Sequence, residues 1–183
     1  MSKLLKASLA AVDVVSDFVG YAAVRDWSPA PIKGEKILDL VAYSQVNSFA
    51  CGAVAGFQIV KSIYPESEFA DFYQAVNPDP VTGTPARNLM RALRRFGVSV
   101  SPRRNLSAAH LKRCIRCGTY VIVSIRNPGA DSHHWVVAHG YARSHVVIAG
   151  NGLPWLHRRR IAWGHFEGIW NPYGNGLICS EEE

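Results

Sequence analysis

Cys51 stands in the run Gln45-Val-Asn-Ser-Phe-Ala-Cys51-Gly-Ala-Val-Ala-Gly56, where a polar loop gives way to small and apolar residues. A thiol in the first turn of a helix meets unpaired backbone N–H groups and the positive end of the macrodipole, and both favour the thiolate. Gly52, Ala53, Ala55 and Gly56 let neighbouring backbone approach and leave room over the sulfur. Gln45, six residues upstream, can set a side-chain amide beside a carbonyl under attack. With the backbone N–H of Cys51 it would complete an oxyanion hole. A thiol nucleophile also needs a base, usually His, and the base needs an orienting partner. Among seven His, His134 opens the strand-like run His134-Trp-Val-Val-Ala-His-Gly-Tyr141, and strand ends project side chains into clefts. Asn151 follows the next strand, so two adjacent antiparallel strands can bring it beside His134. Its amide oxygen can accept from the imidazole and fix the tautomer. The four residues together describe attack of a thiolate on a peptide or amide carbonyl, a chemistry that calls for no metal and no organic cofactor.

Other residues compete for these roles. His133 adjoins His134, and a shift of one residue moves a strand side chain to the other face. His139, five positions on, lies on a different face from His134. Cys114 and Cys117 form a Cys-x-x-Cys with His110 on the same helical face, a partial metal set without a second pair, and a helix face packed on the core is the expected reading. Cys179 is expected to be incidental, close to the end of the chain. Asp131 sits in a turn-forming stretch and is an alternative acid for His134. Trp155, Trp163, Phe166, Trp170 and Tyr173 make the C-terminal part aromatic, as core or as cleft wall.

The elements that must position these groups follow from periodicity and punctuation. Residues 2–25 carry apolar side chains near helical spacing. Asp13 and Asp17 break the apolar run that a signal peptide would need, so an amphipathic helix packed on the domain is expected. Pro29, Pro31 and Gly34 then mark a loop. Helices are predicted over 50–64, ended by Pro65, and over 66–76, ended by the Asn77-Pro-Asp-Pro80 cluster. Another is predicted from a Thr84 cap, with Pro85 at its first position, to Phe96, and another from a Ser107 cap to Cys117. Strands are predicted at 98–100, 119–125, 134–141 and 144–149. Helices first and strands later imply α+β. The expected organisation is an N-terminal helix and linker over 1–35, one domain over 36–178 and a tail over 179–183.

Gln45…Cys51 before a helix, then His134-Trp-Val-Val, then Asn151-Gly152 seventeen positions beyond the His, resembles the papain-like cysteine peptidase superfamily. The likeness is greatest to the bacteriocin-processing, double-glycine peptidase branch. The stretch from Thr84 to Val98 is also similar to that branch's helix before its central sheet, and the resemblance covers about residues 40–172. It implies a papain-like fold, a helical half carrying Cys51 and an antiparallel sheet half carrying His134, with the cleft between them. It implies catalytic roles for Cys51, His134, Asn151 and Gln45, and of the adjacent His only His134 fits the His-aromatic-Val-Val pattern. The branch has Asp where this chain has Asn151. Papain uses Asn there, so activity is retained in principle, without a negative charge to stabilise the imidazolium. No transporter or ATPase module accompanies the domain, so a peptide or protein substrate would be met in trans. The same thioester can also be resolved by an amine or thiol, giving an acyl or peptidyl transferase, and a silent peptide-binding module is a third reading.

Bulk properties set the outer bounds. The chain has 183 residues, 48% hydrophobic, enough for one domain with its own core. Four Cys do not make a disulfide scaffold, and with no convincing signal segment they suggest a reducing, cytoplasmic setting. No apolar stretch approaches the length of a membrane span. Twenty Lys+Arg against 14 Asp+Glu give a net charge of +6, with Arg clusters at 94–95, 103–104 and 158–160. Without a nucleic-acid-binding signature these read as a solvated basic surface, and nucleic acid is not the expected partner.

Overall fold

A computed structural model describes residues 30–43, 49–126, 133–150, 159–170 and 174–182 of the chain. Seven strands form one antiparallel sheet: β1 (Lys36–Ile37), β2 (Val98–Arg103), β3 (Tyr120–Arg126), β4 (His133–Tyr141), β5 (His145–Ala149), β6 (Arg159–Ala162) and β7 (Gly176–Glu181). Their spatial order is β2-β7-β3-β4-β5-β6, with β1 paired to the last residues of β4. Five helices accompany them: α1 (Cys51–Ile63), α2 (Phe69–Val76), α3 (Ala86–Arg95), α4 (Ala108–Arg116) and α5 (Trp163–Ile169).

The alternating side chains of the central strands are apolar on both faces, and helices cover each face. Ile122, Val137 and Leu177 point toward α1–α3 and join Phe57, Phe72, Leu89 and Leu93 in one core. Val121, Val123, Val136 and Ile148 point the other way, onto Leu111 of α4 and Phe166 of α5. The α+β class expected from the sequence is the observed one, an antiparallel sheet with helices on both faces.

Several local expectations are corrected. Thr84 does not cap α3. Pro85 occupies the N-cap with extended backbone and the helix starts at Ala86, while the Thr84 hydroxyl donates to the Phe49 carbonyl. The strand expected at 98–100 runs to Arg103 because β7 pairs along its whole length. Residues 179–181, expected as part of a tail, belong to β7. Cys179 lies opposite Val100 on one side and Tyr120 on the other, and it is fully buried. His110 has a local role at the helix start. Its Nδ1 accepts from the Ser107 N–H at 3.1 Å, closing a capping box at the start of α4. The expected N-terminal helix falls on residues 1–29, outside the described residues.

The segment expected as the end of a linker is anchored. The Glu35 carboxylate is buried and accepts from Arg160 Nε at 2.6 Å and Arg160 Nη2 at 3.0 Å. It also lies 2.7 Å from His145 Nε2 and accepts from the Ile32 N–H at 2.8 Å. These bonds, the Arg160 guanidinium first among them, hold its pKa at about 2, below the usual 4.5. Glu35 therefore contributes stability in full above pH 4.5, and the contribution is lost as the pH falls toward 2. Glu35→Ala leaves Arg160 and His145 without their carboxylate and is expected to cost about 3 kcal/mol at neutral pH. Denaturant unfolding at neutral pH and at the acid end would read it: the gap between wild type and variant should close on acidification, and a gap independent of pH would contradict the assignment.

Candidate active site

α1 begins at Cys51, and its N-cap, Ala50, has no side chain able to cap the first turn. The open N–H groups turn to the sulfur instead. The N–H groups of Trp135, Gly52 and Cys51 itself all act to lower the thiol pKa. Burial outweighs them and pushes it above its usual value, since Cys51 is only 7% exposed. A thiolate at this position thus needs a positive partner beyond the backbone.

The donor from Trp135 locates the sulfur. Backbone N–H groups of a strand lie in the plane of the sheet, whereas side chains alternate above and below it. A sulfur reached by the Trp135 N–H therefore sits against the edge of β4, between its two faces. β5 ends at Ala149, opposite Val137, so it does not flank the first residues of β4. Cys51 occupies that end of the sheet.

Three groups lock α1 to this edge. Gly52 has no room for a side chain, because a Cβ there would come within 2.6 Å of Thr84 Cγ2 and 2.9 Å of Trp135 Cδ1. Trp135 Nε1 donates to the Thr84 carbonyl at 3.0 Å. Thr84 in turn donates to the Phe49 carbonyl at 3.3 Å, two residues before Cys51. One threonine thus ties the turn that precedes the nucleophile to the strand that carries the His pair.

A cavity of about 460 Å³ opens over Cys51. Phe49, Ser124, His133 and Trp135 line it, with the 80–84 turn as its rim. The rim is rigid by construction: Asp79 and Gly83 exchange backbone hydrogen bonds at 2.8 Å, and Asp79 Oδ1 accepts from the N–H groups of Val81 and Thr82. It presents Val81, 78% exposed, at the mouth. Sequence reading took 77–80 only as a helix stop. The Asp79-Pro-Val-Thr-Gly83 pattern was the available signal for a tight, self-bonded turn.

Of the four residues expected at the site, two lie among the described residues. Cys51 and His134 both lie at this end of β4. His134 is half-buried, opposite Ile125. His133 and Trp135 share the face that borders the cavity, and His134 lies on the opposite face of the strand. Gln45, Asn151 and Asp131 lie outside the described residues, as do Trp155 and Tyr173. His139 is remote from the thiol: it is fully buried and its Nδ1–H donates to the Leu38 carbonyl at 3.1 Å, fastening β1. Trp163, Phe166 and Trp170 belong to the second core. The other cysteines differ from Cys51 in setting. Burial pushes Cys179 up to about 12, and burial together with the charge of Cys117 raises Cys114. Among the described residues no cluster of three potential metal ligands exists, and no helix is long and apolar enough to cross a membrane.

No protein-family model matches the chain, and no curated protein matches it in sequence. Solved structures do match. The peptidase domain of Streptococcus ComA, a bifunctional ABC transporter of a quorum-sensing pathway, superposes with a TM-score of 0.64 at 16% identity, over 80% of this chain and 98% of that one. A C39-like peptidase structure from Bacillus anthracis gives 0.68 at 12% identity, over 81% and 98%. A double-glycine-motif protease from an AMS/PCAT transporter, solved with its leader peptide, gives 0.63 at 15% identity, over 79% and 94%. The fold is that of these C39 peptidase domains.

The packing at Gly52 carries a direct consequence. Gly52→Ala forces Thr84 and Trp135 apart, an overpacking cost of about 2 kcal/mol. Thermal unfolding should show the loss, and alkylation of the native protein should find Cys51 more accessible. A variant as stable as wild type, with unchanged labelling, would show that the joint does not hold the site.

Proposed function

We propose that the chain is a cysteine peptidase of the C39-like kind, hydrolysing a peptide or amide bond through a thioester on Cys51. The observation that carries this reading is the setting of Cys51, at the first residue of α1, with the Trp135 N–H of β4 acting on its sulfur and a cavity open over it. The C39 peptidase fold supports it.

In this reading His134 supplies the positive charge that a buried sulfur needs. An imidazolium beside Cys51 offsets the desolvation of the thiolate and keeps a reactive ion pair at neutral pH. The thiolate attacks the carbonyl carbon and the electron pair moves onto oxygen. The N–H groups at the start of α1, with the side-chain amide of Gln45, face that oxygen. The C–N bond then breaks as His134 protonates the leaving amine, giving the thioester and a neutral imidazole. His134 next takes a proton from water, the hydroxyl adds to the thioester carbonyl, and the acid product leaves as Cys51 recovers its charge. Asn151 orients His134 throughout. A peptide bearing a double-glycine leader is the first substrate to offer, since one structural neighbour was solved with such a leader. Product mass separates hydrolysis, which adds water, from transfer, which adds the acceptor.

Two measurements test the reading. Cys51→Ala should reduce turnover of a leader-type peptide by more than about a thousandfold without unfolding the protein, and retained turnover would rule out the thioester. The second is iodoacetamide labelling with peptide mapping across pH. Cys51 should react at neutral pH ahead of Cys114 and Cys179. His134→Ala should move its labelling to alkaline pH, because burial without the imidazolium leaves the thiol above its ordinary pKa. His133→Ala should leave the profile in place, and the reverse result would assign the base to His133.

A further inference from the structure

The net charge of +6 has a location. The stretch from α3 through β2 carries Arg87, Arg91, Arg94, Arg95, Arg103 and Arg104 and no Asp or Glu. All six are exposed. None makes an ion pair among the described residues. Arg94 alone is engaged, donating from Nη2 to the Val100 carbonyl at 3.1 Å. The acids that β7 brings to this unit, Glu181 and Glu182, stand at its far end beside Val98 and Gly97, whereas Arg103 pairs in register with Gly176. The Arg103–Arg104 end is therefore an unneutralised basic surface.

That end borders a second cavity, of about 530 Å³, walled by Met90, Pro102, Leu177 and Trp135 with Arg103 and Arg104 at its edge. Trp135 also walls the cavity over Cys51, so the two spaces meet at one indole. Asn175, in the second wall, has a side-chain oxygen that no group among the described residues uses, an acceptor available to a main-chain N–H.

We infer that this arginine face and its apolar cavity dock an acidic segment of the peptide substrate, with one or more apolar side chains seated between Met90, Leu177 and Trp135. The inference rests on the peptidase reading above. Unpaired guanidinium groups around an apolar floor suit carboxylates flanking a hydrophobic anchor, the pattern of a charged rim around a buried contact. The floor favours a peptide over nucleic acid, which would be met by aromatic stacking along a basic track rather than by an aliphatic pocket. The shared indole fixes the distance between docked segment and nucleophile.

The test uses the full chain carrying Cys51→Ala, which binds without reacting, so its outcome is independent of whether the thiol is catalytic. Two fluorescein-labelled peptides of equal length are compared by anisotropy, one alternating Glu and Leu and one with Gln at every Glu. The Glu peptide should bind at least about tenfold more tightly, and the advantage should shrink as salt rises. Arg103→Glu/Arg104→Glu should abolish the advantage, and Arg87→Glu/Arg91→Glu should reduce it. All four positions are exposed, and thermal unfolding would check that the variants remain folded. Equal affinity for the two peptides, or a preference unaffected by reversal of Arg103 and Arg104, would overturn the inference. Tighter binding of a single-stranded oligonucleotide than of the Glu peptide would overturn it in favour of nucleic acid.

Discussion

The site depends on one joint, where Thr84 bonds to the Phe49 carbonyl and receives Trp135 Nε1 against a glycine with no space for a side chain. α1 and β4 are far apart in sequence, and the first has no polar N-cap to fix its start. A helix that begins on Ala50 could fray at its first turn, and the thiol would move with it. The Thr84 bonds and the Trp135 ring prevent this by clamping the turn before Cys51 from outside the helix. The absence of a capping side chain becomes useful, because an Asp or Ser at position 50 would compete with the sulfur for the N–H groups of the first turn.

The same closeness sets the electrostatic problem. Packing the sulfur against the Trp135 backbone excludes water and raises the thiol pKa, and three N–H donors do not cancel the burial. Neutral dipoles stabilise an anion less than water does unless they surround it. A thiolate there would need a full positive charge, which in the proposed reading His134 supplies. In contrast, Cys179 has one backbone donor, the Ile122 N–H, which burial overwhelms: interior to the sheet, it is held protonated and behaves as a small apolar side chain.

Local signals in the sequence were enough for the elements and for the place of Cys51 at a helix start. The start of α1 at Cys51, the Ser107 cap and the strands around His134 and Ile148 follow from caps, small residues and β-branched runs within a dozen positions of one another. The misreadings share one cause, which is partners distant in the chain. Thr84 looked like an N-cap because Pro85 follows it, but its hydroxyl is claimed by Phe49, 35 residues away. Cys179 looked terminal because nothing after it is patterned, but Val100 and Tyr120 flank it across strands far upstream. The cavity rim and the clustering of the arginines around Trp135 depend on tertiary placement, so composition could count the charge without locating it.

β4 connects these requirements. Its first residues, 133–135, border the thiol, its middle buries Val136–Ala138 between the two cores, and its end, through His139 and Tyr141, holds β1. Immediately beyond, His145 and Arg160 close on Glu35. Glu35 is thus fully partnered at one end of the strand, and the cavity over Cys51 opens at the other. At about 3.3 Å per residue the two ends stand roughly 25–30 Å apart, too far for the charges of one to act strongly on the other through a solvated surface. The anchor can therefore hold the scaffold at neutral pH, where Glu35 is fully ionised, without disturbing the protonation of the site. A sheet with its buried charges crowded beside Cys51 would force the thiol to titrate together with the groups that keep the protein folded.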